Sequence, residues 1–126
     1  MVERDFILRQ VQQLAQVLAQ VLTLERAGRA TEAQRALADG LEGVLGLPLD
    51  RLRSLPREEL LTMCAPGGVL SGENGVAVAD LLREDEAAAG RERALWVYEF
   101  AVTSADTAVP FDVHRRIETL RASLRP

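Results

Sequence analysis

The chain has 126 residues, a formal net charge of −4 and 48% hydrophobic residues, of which few are aromatic. That length suits one domain, able to bury about two-thirds of the surface its unfolded form exposes. The acidic balance argues against wholesale attraction to nucleic acid or anionic lipid, because phosphate binding needs a basic field. All 15 basic residues are arginine, which we attribute to codon bias rather than to selection for guanidinium chemistry. A single cysteine, Cys64, leaves no intramolecular disulfide to form and fits a reducing compartment.

Residues 3 to about 26 contain neither Gly nor Pro, and Ile7, Val11, Leu14, Leu18 and Val21 follow a 4-3-4-3 spacing. This predicts a long amphipathic helix of roughly 36 Å. Gln10, Gln12, Gln13, Gln16 and Gln20 interrupt its leucine-rich part, so it does not read as a membrane span. The opening MVERDFILRQ carries mixed charge and does not read as a secretion signal, so a cytoplasmic location is expected.

The tripeptide Ala27-Gly28-Arg29 breaks the helix, with Gly28 suited to a left-handed cap. A second helix is expected from Thr31, carrying Ala33, Leu37, Leu41, Val44 and Leu45 at spacings of three and four. The short connection makes the pair an antiparallel hairpin over residues 3–46.

Residues 47–72 read as two short helices, LDRLRS and LPREELLTMC, followed by the loose segment APGGVLSGENG. A β-hairpin about SGENG is an alternative there, but a loop running into a helix capped by Ser71 is preferred. Residues 73–124 then read as further helices. VAVADLLREDEAA is expected to stop at a second AGR, 89–91; RERALWVYEFAVTSADT follows; and FDVHRRIETLRASL closes the chain with Val113, Ile117, Leu120 and Leu124 on one stripe. The expectation is a single all-α domain over residues 1–126, with about six helices, two of them short.

The repeated AGR introduces a second echo. Ala33, Leu37 and Gly40 in the first copy match Ala94, Tyr98 and Ala101 in the second, each reading small-x3-large-x2-small. Small residues on one face let helix backbones approach, and the large one fills the gap between layers. The pattern resembles the second helix of a tetratricopeptide repeat, and the order of segments over the whole chain resembles a small bacterial family of uncharacterised tetratricopeptide-like proteins. The resemblance implies stacked helical hairpins and no particular activity. The copies are 62 residues apart, which is not a multiple of that repeat's period.

No catalytic, cofactor-binding or metal site is expected. Cys64 lies in the apolar run LLTMC and reads as a buried thiol; His114 is the one histidine and no ligand spacing surrounds it. The acidic run REDE, 83–86, reads as a solvated helix face. By contrast, in ALWVYEFAV only Glu99 is charged, so that helix is either central or meets a partner on its outer side. Trp96 and Phe100 are the candidate anchors of such an interface; Val17 and Leu24, which widen the glutamine-flanked face of the first helix, are candidates for a second.

The leading expectation is a non-enzymatic protein-protein interaction module, a homodimer that also offers a groove to a peptide or helix of another protein. An alternative is a small-ligand binder or enzyme with its site near the 65–75 loop, using Glu73, Arg83 or His114. A third is weak RNA binding by an arginine face built from HRRIETLRASLR with Arg91 and Arg93.

Overall fold

The computed structural model describes residues 2–65, 72–104 and 110–125. Among these there is no strand; there are seven helices rather than about six. They are α1 (Val2–Arg26), α2 (Ala30–Leu45), α3 (Leu49–Leu52), α4 (Arg57–Met63), α5 (Gly72–Leu82), α6 (Ala88–Ser104) and α7 (Val113–Leu124). No helix is long and apolar enough to cross a membrane among the described residues.

Two hairpins dominate, α1 with α2 and α5 with α6; α5 also lies against α1, and α6 against α4 and α7. The α1–α2 turn forms because Gly28 adopts φ +74°, a left-handed conformation in which a side chain would be strained. Its N–H donates to the Glu25 carbonyl and that of Arg29 to the Leu24 carbonyl, which satisfies the last carbonyls of α1. On the inner side Leu14 and Val21 of α1 and Ala33, Leu37 and Leu41 of α2 are buried. Gly40 sits where a Cβ would fall 2.3 Å from Val17 Cγ1, so a side chain is missing where the two helices come closest.

The second hairpin is reached differently from the first. The second AGR lies inside the first turns of α6, not at the end of the preceding helix, and α5 has already ended at Leu82. Gly90 is therefore not a cap. A Cβ there would stand 1.9 Å from Asp85 Oδ2, so this glycine makes room for a carboxylate. The helix Gly72–Leu82 rules out a β-hairpin about SGENG; residues 66–71, with the expected cap Ser71, lie outside the described residues.

The run REDE is likewise not a helix face. It forms the α5–α6 turn, and Asp85 within it is buried. Its carboxylate accepts from Arg53 Nε at 2.9 Å and Nη2 at 2.6 Å, and from the Ala87 N–H at 3.1 Å. Gln34, from α2, spans the same turn: its amide donates to the Glu84 carbonyl at 2.9 Å and accepts from the Glu86 N–H at 3.2 Å. Arg91 donates to the carbonyls of Asp85 and Glu86. Thus α2, the end of α3 and the second hairpin meet at one turn.

Glycine substitutions separate these packing roles. Gly90→Ala drives a methyl into the Asp85 carboxylate and is expected to lower unfolding stability by about 2–3 kcal/mol. Gly43, in α2, has open space around it, and Gly43→Ala is expected to raise stability by about 0.5–1 kcal/mol through helix propensity. Urea unfolding of the two variants beside the parent chain checks both signs.

Candidate functional site

The apolar face of α1 is not wholly covered by α2 and α5. Val11, Leu14, Ala15 and Leu18 form one wall of a trough of about 300 Å³. Its floor is Glu73, Val76, Ala77 and Asp80 of α5, and Pro110 and Arg116 close the far side. A second depression of about 280 Å³ shares Leu18, Asp80 and Arg116 and extends past Leu22, Arg83, Glu84 and Asp112. Together they make a groove over α5 between α1 and α7. The α1 residues that line it run from Val11 to Leu22, about three helical turns or roughly 16 Å.

An ion cluster crosses its middle. Arg116 Nη1 donates to Asp80 Oδ1 at 2.9 Å and Oδ2 at 3.0 Å, while its Nη2 reaches both Asp112 oxygens at 3.1 Å. The Tyr98 hydroxyl donates to Asp80 Oδ1 from the other side. Burial, then the Asp80 charge, hold the Tyr98 phenol above its ordinary value, and Arg83 and Arg116 oppose that rise. The cluster therefore ties α5, α6 and α7 together and fixes the groove floor. It holds paired charges and a phenol that keeps its proton.

The residues singled out from the sequence are not gathered at one place. Glu73 and Arg83 lie at the two ends of the groove, whereas His114 is exposed and lines a separate depression with Glu99, Ile117 and Arg121 between α6 and α7. Trp96 and Phe100 are half-buried against the core, and α4, α5 and α7 surround their helix. That is why α6 is apolar on all sides. Val17 packs into the space above Gly40, so it belongs to the α1–α2 seam, and Leu24 is half-buried. Ala33, Leu37, Ala94, Tyr98 and Ala101 are buried.

The arginine face is largely consumed by internal contacts. Arg93 is only 11% exposed at its side chain, donates to the Leu55 carbonyl at 3.0 Å and lies 4.7 Å above the Trp96 ring. Arg91 is spent on the α5–α6 turn, Arg116 on Asp80 and Asp112, and Arg121 on Glu99 at 2.5 Å. Among the described residues no group of three His, Cys, Asp or Glu side chains could hold a metal ion. Asp80 was not picked out from the sequence, and Arg116 was read there as part of an arginine face, not as its partner. The available signal was Asp80 itself, a charge interrupting the otherwise apolar VAVADLL.

Burial pushes the Cys64 thiol from an ordinary 9.0 up to about 12. Cys64 and Tyr98 both hold their protons more tightly folded than unfolded. The stability this confers is complete below their ordinary values and declines as pH rises from about 9 toward about 12. Unfolding stability is accordingly expected to fall between about pH 8 and about pH 11, and Cys64 to resist a thiol reagent until the chain unfolds; denaturation curves and thiol titration at the two pH values check this. Comparison of the chain with protein families, curated proteins and solved structures finds no match.

Proposed function

We infer that this chain is a non-enzymatic interaction module of tetratricopeptide-like helical hairpins, which self-associates and receives a helix or peptide in the groove over α5. The single observation that carries the reading is the groove itself. It is a groove walled by helices, apolar over its first part and along α1, and crossed by an already satisfied ion cluster. Such a surface offers area and shape to a helix, and no reactive group to a substrate. The hairpin reading is supported by the small residues Ala33 and Gly40 of α2, and Ala94 and Ala101 of α6, at matching offsets around Leu37 and Tyr98.

Self-association is supported by the first helix. With 25 residues against 16 in its partner, α1 overhangs α2 by about nine residues. On that overhang Phe6 is 52% and Leu8 39% exposed, an arrangement suited to pairing with a second copy. The Trp96 helix, occupied on three sides, is the weaker candidate for this role.

Light scattering coupled to size exclusion is expected to give a dimer. The double change Phe6→Asp with Leu8→Asp is expected to give a monomer of unchanged melting temperature. Trp96→Ala is expected to lower stability by about 2 kcal/mol while the dimer persists. A parent chain that stays monomeric at high micromolar concentration removes the self-association clause.

A further inference from the structure

The groove is unbalanced in charge. Its lining holds four carboxylates, Glu73, Asp80, Glu84 and Asp112, against two guanidiniums, Arg83 and Arg116. Both guanidiniums are committed within it: Arg116 to Asp80 and Asp112, Arg83 to Glu84 at 3.4 Å. Glu73, exposed at one end, has no ion-pair partner among the described residues. At the other end the excess is larger, because Glu25 of α1 stands against Glu84. Burial first, and the Glu84 carboxylate second, hold the Glu25 carboxyl above its ordinary value. Negative charge thus collects at both ends, while between them the α1 wall is apolar through Val11, Leu18 and Leu22 and the middle is occupied by the paired Asp80, Asp112 and Arg116.

We propose that the occupant of this groove is a cationic amphipathic helix of another protein, with an apolar stripe against Val11, Ala15, Leu18 and Ala77 and a basic residue at each end, about eleven positions apart. On a helix, residues eleven apart lie on the same face about 16 Å from one another, about the length of the eleven-residue α5, which has Glu73 in its first turn and Glu84 just past its end. A basic group at the Glu84 end relieves the repulsion between Glu25 and Glu84 as well as making its own pair. An acidic helix meets like charge at both ends, and a polyanion such as RNA is repelled more strongly still. This inference rests on the groove clause of the function proposed above and adds the chemistry of its partner.

The test uses the full chain and two synthetic peptides of about 15 residues with the same apolar stripe. One carries arginine at two positions eleven apart, the other glutamate at the same positions. Fluorescence anisotropy is read at low and at high salt. The arginine peptide is expected to bind at least about tenfold more tightly, with the advantage shrinking as salt rises. Glu73→Arg combined with Glu84→Gln is expected to remove most of that advantage while the melting temperature is kept; Glu73→Gln alone serves if the double variant fails to fold. Equal affinity for the two peptides overturns the charge assignment and leaves the groove as a binding surface. A dimer that Glu73→Arg dissociates, with neither peptide bound, overturns it in favour of a second copy of this chain. Neither peptide bound by a monomeric chain removes the groove clause along with it.

Discussion

The Asp85 carboxylate is the constraint on which the arrangement depends. With a side chain wholly withdrawn from solvent, it needs nearly every acceptor position filled, and the chain fills them from two directions: the guanidinium of Arg53 and the backbone of its own turn. Glycine at position 90 is then required for the carboxylate to fit at all. Because Gln34 clasps the same turn from α2, the second hairpin is positioned against the first by polar contacts of fixed geometry, and the apolar core closes around that alignment. Apolar packing alone favours contact without choosing among neighbouring registers; directional bonds at the turn supply the choice.

Much of the helical layout was legible in the sequence, and the reasons are specific. The 4-3 spacing from Ile7 to Val21, the break at Gly28 and the stripe from Ala33 to Leu41 are short-range signals, and α1 and α2 follow them. The second AGR misled because a tripeptide carries no information about what stands above it. Gly28 answers a backbone torsion, Gly90 a carboxylate five residues earlier, and only the first is a local matter. REDE read as a solvated face for the same reason: Arg53, which pairs with Asp85, is 32 positions away. The floor of the groove was hidden likewise, since Asp80 and Arg116 are 36 positions apart and meet only after α7 has folded back.

The apolar helix α6 shows how one sequence feature admits two structural meanings. A helix greasy on every side requires cover on every side. Here α4, α5 and α7 provide much of it, and Arg93 lays its guanidinium over the indole of Trp96 where aliphatic packing ends. The apolar surface left open lies on α1, whose inner face serves the core through Leu14 and Val21 while its flank borders the groove through Val11 and Leu18. The longest of the described helices therefore serves the core on one face and borders the groove on another.

The two interhelical turns differ in what they tolerate. Arg26 through Ala30 are exposed and bonded chiefly to the end of their own helix, whereas residues 83–87 are gripped from three other segments. Lengthening the chain at Gly28, or opening it there to create new termini, disturbs little beyond that cap. The same operation at the later turn severs the clasp that aligns the halves. Insertions and circular permutants of this protein belong at the first bend, and an added residue at the second displaces the carboxylate and carbonyls that Arg53, Gln34 and Arg91 hold.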